Sequence, residues 1–138
     1  MLLTLPILIK IFVVSFLLNV VWEFAHCQLY KTCWGMKWGT LTKLLLKMSV
    51  KDGIWISIFY FFTFAIFQNL NPFDSWVQTA LFVAITLGFA FMDERISVAR
   101  GRWEYSPKMP LFFGVGLTPL LELAITGLLT FCLVFVIF

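Results

Sequence analysis

Four apolar stretches dominate the sequence, over about residues 2–30, 50–69, 75–99 and 110–138. Each approaches the ~20 residues a helix needs to cross ~30 Å of hydrocarbon. The stretches are continuous rather than alternating, and an open strand edge finds no hydrogen-bond partner in lipid, so helices are predicted throughout. Composition agrees, with 62% hydrophobic and 12% charged residues, against about 45–50% and about 25% in soluble domains. A water-soluble fold is excluded. With 8 Gly, 5 Pro and 3 Cys, disordered, collagenous and disulfide-scaffold classes are excluded too. The expected fold is an all-α integral membrane protein, a four-transmembrane-helix bundle forming a single membrane domain over 1–138.

The first stretch carries Lys10 inside it and is followed by no A-x-A-like site, so it reads as a mature span rather than a signal peptide. Lys31, Lys37, Lys43, Lys47 and Lys51 follow that span, and Arg95, Arg100, Arg102 and Lys108 lie between the third and fourth. The turn from Asn69 to Ser75 has no basic residue. The positive-inside rule then sets the loops 31–51 and 95–108 in the cytoplasm and both termini outside. The net charge of +3 reads as a topology signal and an attraction to anionic lipid, with no nucleic-acid partner. Within 35–48, Leu41, Leu44, Leu45 and Met48 recur at helical spacing with Lys43 and Lys47 on another face. This predicts a short interfacial helix in the first cytoplasmic loop. Ser49 followed by Asp52 reads as a capping box that starts the second span. Trp34, Trp38, Trp55 and Trp103 suit an aromatic belt. No internal repeat is evident, so a repeat-built transporter requires oligomerisation. Expected partners are membrane lipids and either a second copy or a partner membrane subunit.

Ionisable groups inside a membrane are costly, and each demands a partner or a purpose. Ser15, Asn19, Glu23, His26 and Tyr30 are spaced by four, four, three and four, which places them on one face of the first helix beside Trp22. That stripe must look into the bundle. Glu23 and His26 fall near the cytoplasmic boundary, as do Asp93 and Glu94 at the end of the third span. Glu122, in a fourth span expected to begin near Leu111, is the deepest acid, roughly 16 Å in at 1.5 Å per residue. Thr118 and Thr126 share its face. Plainer readings exist for most of these groups. Asp93 and Glu94 could pair with Arg95 or the loop arginines, His26 could be an interfacial hydrogen-bonding residue, and Asn19 could join helices. Glu122 has the weakest plain reading, because a charge at that depth needs His26, an arginine or a proton to neutralise it.

The segment GRWEYSPKMP from Gly101 to Pro110 is dense in reactive side chains, with Gly101 freeing the turn and Pro107 and Pro110 stiffening it. It reads either as a lid whose arginines bind phosphate or carboxylate, or as an anchor on acidic headgroups. Pro119, placed inside the fourth span, is expected to free a carbonyl one turn upstream. Glu23-x-x-His26 has the i, i+3 spacing of di-iron carboxylate bundles. One such motif per chain makes a divalent metal at Glu23 and His26 the secondary expectation, requiring a homodimer completed by Glu122 or Asp93. The primary expectation is no cofactor. Cys27 and Cys33 lie on the reducing side and make a poor zinc pair, and no disulfide is expected. Without a Gly-rich phosphate loop, nucleophile elbow or H-E-x-x-H, hydrolase and NTPase chemistry have no motif.

WEFAHCQLY (Trp22 to Tyr30) and GRWEYSPKMP…GVGLTPLLEL (Gly101 to Leu123) are similar to signatures of small four-helix bacterial membrane proteins, a family without assigned activity. That resemblance implies the fold and no chemistry. In composition the chain also resembles the small hydrophobic subunits of heterodimeric lycopene cyclases, which use membrane carboxylates on an isoprenoid. The acidic motif of those subunits is not present in its expected form.

These readings converge on a membrane-embedded enzyme or enzyme subunit acting on a lipid or isoprenoid from the cytoplasmic leaflet. Glu122 is the expected buried acid and Glu23 with His26 the base, with Asp93 and Glu94 in the same catalytic set. Asn19, Trp22, Tyr30, Trp103 and Tyr105 are expected to shape the substrate pocket, and Arg100 and Arg102 to hold a headgroup. The same polar face also suits a small oligomeric proton-linked transporter or channel, or an assembly protein that docks a partner helix.

Overall fold

The computed structural model describes residues 4–137. It contains four helices long and apolar enough to cross a membrane. These are α1 (Thr4–His26), α2 (Trp38–Phe67), α3 (Trp76–Ala99) and α4 (Leu117–Phe131), the last running on as a π-helical segment through Cys132–Ile137. α1 packs on α2 and α4, and α3 packs on the same two helices. The chain is thus an apolar helical bundle with the build of a multi-pass membrane protein.

The helices are inside-out relative to those of soluble proteins. α1 turns Leu5, Ile9, Val13, Leu17 and Val21 outward and buries Ile11, Ser15, Asn19, Glu23 and His26. α3 buries Gln78, Phe82, Thr86, Ala90 and Glu94 in one stripe. In hydrocarbon an outward polar group has no partner at all, so polar positions turn to the bundle interior. Most hydroxyls on these stripes then close onto their own helix. Ser15 donates to the Phe12 carbonyl (3.1 Å), Thr86 to Phe82 (3.0 Å) and Thr130 to Thr126 (2.7 Å).

One half of the bundle is an aromatic plug. Ile56, Tyr60, Phe82 and Phe131 are fully buried, and the Phe82 and Phe131 rings meet edge-on with centroids 4.6 Å apart. Gly127 makes room for them, since a Cβ there would lie 2.5 Å from Phe82 Cζ. Gly127→Val is therefore expected to cost about 1–3 kcal/mol by overpacking, read as a lower unfolding midpoint in detergent. An unchanged midpoint would contradict this packing.

At the other end, the segments that follow α1 and α3 lie against each other. Lys31 N–H donates to the Glu104 carbonyl and Ser106 N–H to that of Leu29, both at 2.8 Å, pairing the extended Tyr30 with Tyr105. The Lys31 ammonium reaches the Glu104 carboxylate at 2.7 Å. α3 ends in a left-handed Gly101 (φ 67°). Gly101 N–H bonds the Val98 carbonyl and Arg102 N–H that of Ser97, the Schellman arrangement that glycine permits at no steric cost.

Several boundaries differ from the sequence-based expectation. The predicted interfacial helix over 35–48 and the break at Ser49 are replaced by one helix of 30 residues, α2. Instead of capping, the Ser49 hydroxyl donates to the Leu45 carbonyl at 2.8 Å, so it closes onto the preceding turn and the helix runs on. Asp52 is buried mid-helix. At 1.5 Å per residue α2 is roughly 45 Å long, more than the hydrocarbon thickness. α1 stops at His26, and 3-10 turns at Cys27–Leu29 and Lys31–Cys33 follow it. The fourth helix starts later than predicted, and the fold is not wholly helical. Leu111–Phe112 (β1) and Val115–Gly116 (β2) form an antiparallel hairpin. Its turn has positive φ at Phe113 (49°) and Gly114 (79°), the geometry that a two-residue type I′ turn requires. Pro119 consequently falls in the first turn of α4, where a missing N–H breaks no helical bond, and the expected release of a carbonyl does not arise. Counted from Leu117, Glu122 is about 8 Å along its helix rather than 16 Å. Leu2 and Phe138, in the predicted first and fourth spans, lie outside the described residues.

Candidate functional site

Glu23 and His26 share one face of α1, and α4 brings Glu122 against them. His26 Nε2 lies 3.1 Å from Glu23 Oε2 and 3.9 Å from Glu122 Oε2. One donor atom from each of the three lies within 4.8 Å of the others. All three are buried, at 7%, 6% and 5% exposure for Glu23, His26 and Glu122. Two carboxylates and an imidazole at these separations form a group that could hold a metal ion.

The opposite edge of the imidazole is held by Thr118. Nδ1 is 3.0 Å from Thr118 Oγ1, and the Thr118 hydroxyl lies 3.3 Å from Met109 Sδ. The Thr118 hydroxyl lies between Nδ1 and the sulfur and can accept from an Nδ1–H or donate to a bare Nδ1, so it holds the ring in either tautomer. Nε2 faces the two carboxyl groups, where an imidazolium N–H donates to a carboxylate and a bare lone pair takes a carboxyl proton or a cation. Glu122 Oε1 is buried with no hydrogen-bond partner among the described residues.

A second carboxylate anchors the overlying segments. Tyr30 O–H, Trp103 Nε1–H and Tyr105 O–H all donate to Glu94 Oε1, each at 2.9 Å. The Tyr105 oxygen also accepts from Gly116 N–H at 2.9 Å. Glycine is needed there, because a Cβ would lie 3.0 Å from both Tyr105 Cε1 and Pro119 Cγ. One oxygen thus ties the end of α1, the loop after α3 and the start of α4. Burial first, and then the charge of Glu94, hold the Tyr30 and Tyr105 phenols well above their ordinary range, so both stay protonated donors.

A cavity of ≈ 100 Å³ lies between these groups. Glu23, His26, Asp52, Glu94 and Glu122 face it, with Leu45, Met48 and Phe89 among its apolar walls. Asp93 also lines it and pairs with Lys51 at 2.5 Å. Cys33 is on the wall as well, and its thiol is pushed up to about 11, chiefly by burial. It is therefore protonated at neutral pH and a weak nucleophile.

All five residues of the predicted catalytic set (Glu23, His26, Asp93, Glu94, Glu122) line this one cavity. Their partners differ from the arginines considered from sequence, since Asp93 meets Lys51 and Glu94 meets three aromatic donors. Of the predicted substrate set, Tyr30, Arg102 and Trp103 line the cavity, whereas Asn19, Trp22, Arg100 and Tyr105 are not on its wall. Asn19 joins helices, its Nδ2 donating to the Ser15 carbonyl at 2.8 Å and its Oδ1 accepting from Thr126 at 3.2 Å. Trp22 stands edge-on to His26 with ring centroids 6.2 Å apart. Arg100 caps α3 and is exposed. Tyr105 acts through Glu94. Sequence reasoning missed Asp52, Lys51 and the Thr118–Met109 pair. The signal for Asp52 was the spacing Leu45, Ser49, Asp52, Ile56, which carries one inward face straight through the supposed cap.

Comparisons of the chain with family profiles, curated proteins and solved structures found no match.

Proposed function

We propose that the chain is a membrane-embedded enzyme performing acid–base chemistry on the polar end of a lipid- or isoprenoid-class substrate. The observation that carries this reading is the carboxylate-lined cavity backed by a closed aromatic plug. Behind the cavity, Ile56, Tyr60, Phe82 and Phe131 fill the bundle. The hydroxyls of Ser15, Thr86 and Thr130 are committed to their own helices. Among the described residues no chain of free proton carriers crosses that half, which weighs against a proton-linked transporter or channel. The acidic lining of the cavity suits the polar, reacting end of a substrate, whose hydrocarbon tail is left to the bilayer.

In the ion-free protein Glu122, with one oxygen unpartnered, is suited to donate a proton. Asp52, which accepts no hydrogen bond among the described residues, is suited to receive one, while Glu23 orients His26. Arg102 on the wall suits a phosphate or carboxylate headgroup. On the positive-inside reading this end of the bundle lies in the cytoplasmic leaflet, with both termini outside. Native mass spectrometry from mild detergent is expected to show a retained lipid or isoprenoid. That molecule should be converted by the wild type and about 10²–10⁴-fold more slowly by Glu122→Gln. Retention of nothing by the wild type, or full turnover in a folded Glu122→Gln, rejects the reading.

A further inference from the structure

We infer that Glu23, His26 and Glu122 bind one divalent transition-metal ion of the Zn²⁺, Fe²⁺ or Mn²⁺ class. The donor set is one imidazole nitrogen and two carboxylate oxygens, all from a single chain, so the homodimer invoked for a di-iron centre is unnecessary. Such ions take nitrogen and oxygen ligands at about 2.0–2.2 Å, which sets neighbouring donors roughly 3–3.5 Å apart. His26 Nε2 already lies 3.1 Å and 3.9 Å from its two carboxylate neighbours. The three donors lie within 4.8 Å of one another, so the two carboxylates close in around an ion.

Two independent features point to a ligand. Glu122 Oε1 is without a hydrogen-bond partner on a residue only 5% exposed, and that residue lines the cavity. On the far side of the ring, Nδ1 is held at 3.0 Å by Thr118, whose hydroxyl also lies 3.3 Å from Met109 Sδ. This is the outer-shell arrangement that orients metal-binding histidines and aims the other nitrogen at the ion. Lys31 pairs with Glu104 and Lys51 with Asp93, and Arg102 lines the cavity without pairing with either glutamate. No lysine or arginine among the described residues pairs with Glu23 or Glu122. A single imidazolium balances one of the two buried carboxylates and leaves the other to hold a proton, whereas a divalent ion neutralises both. The imidazole donor favours these metals over Mg²⁺ or Ca²⁺, which prefer all-oxygen sites. Three protein ligands leave a coordination position open to the cavity. In the loaded protein Asp52 is the cavity carboxylate free to exchange protons.

The ion site stands whether or not the chain is an enzyme. Purified protein in mild detergent, stripped by chelator and titrated with Zn²⁺, is expected to take up one ion per chain, counted by plasma mass spectrometry. His26→Gln and Glu122→Gln should lose that ion, and the Cys27→Ser/Cys33→Ser double variant should keep it. Thr118→Val, which removes the hydroxyl that holds Nδ1, should weaken Zn²⁺ binding by about 10–100-fold. Zn²⁺ should also raise the unfolding midpoint of the wild type and leave that of Glu122→Gln unmoved, a readout that shows the variant is folded. The site is overturned if stripped wild type takes up none of Zn²⁺, Fe²⁺ and Mn²⁺. It is equally overturned if Zn²⁺ persists in Glu122→Gln and disappears with the cysteines. Zn²⁺ binding without lipid turnover supports the ion and rejects the enzyme. Turnover in protein that binds no ion does the reverse.

Discussion

Metal-stripped Glu122→Met is expected to unfold at a higher temperature than the stripped wild type, by the equivalent of about 1–3 kcal/mol. The side chain is 5% exposed and its Oε1 has no partner, so the folded protein carries the desolvation of a carboxyl oxygen with no hydrogen bond in return. Methionine is of similar length, lacks that oxygen and adapts to irregular space. His26 keeps Glu23 at 3.1 Å and Thr118 at 3.0 Å, so the substitution leaves both of its other contacts in place. A gain in stability together with loss of Zn²⁺ uptake is the pattern of a residue kept for chemistry at the expense of the fold. A lower midpoint would mean that Glu122 has a structural partner, and would remove it from the site.

Glu94→Ala is expected to lower stability by at least about 3 kcal/mol, because it orphans three donors that each lose a hydrogen bond of about 1–3 kcal/mol. Tyr30, Trp103 and Tyr105 converge on a single oxygen at 2.9 Å each. Without it, the pairing of Tyr30 with Tyr105 loses its support from below. The segment from Gly101 to Pro110 should then become sensitive to protease, and Trp103 fluorescence should shift toward that of exposed indole. Glu94→Gln retains a carbonyl oxygen that accepts the same donors, so most of the stability should survive. Equal losses in the two variants would show that the negative charge, and not the acceptor, holds the segments.

The inward stripe on α1 was legible from the sequence down to Ser15, Asn19, Glu23 and His26. Tyr30 reaches the same cavity although the helix ends four residues before it, because an extended residue paired with Tyr105 points it back beneath the turn. Asp52 was hidden by a local signal. Ser49 and Asp52 have the spacing of a cap, and local chemistry alone does not decide between a cap and a helix that simply continues. Packing decides it, since Gly53 lets α1 approach α2 closely. A Cβ there would lie 3.3 Å from the Phe12 ring and 3.4 Å from the Phe16 backbone nitrogen.

The sequence by itself determined four apolar helices and, on α1 and around Glu122 on α4, the face turned inward. In hydrocarbon a helix satisfies its own backbone, so hydropathy, length and periodicity are local properties that need no tertiary knowledge. Only the tertiary structure decided which polar groups meet. The His26–Thr118 contact spans 92 residues, Tyr30–Glu94 64 and Lys51–Asp93 42. Those distances depend on the relative height and crossing of helices and on where α4 begins. A shift of α4 by one turn, about 5.4 Å, would leave Glu23 and His26 in place and carry Glu122 out of reach.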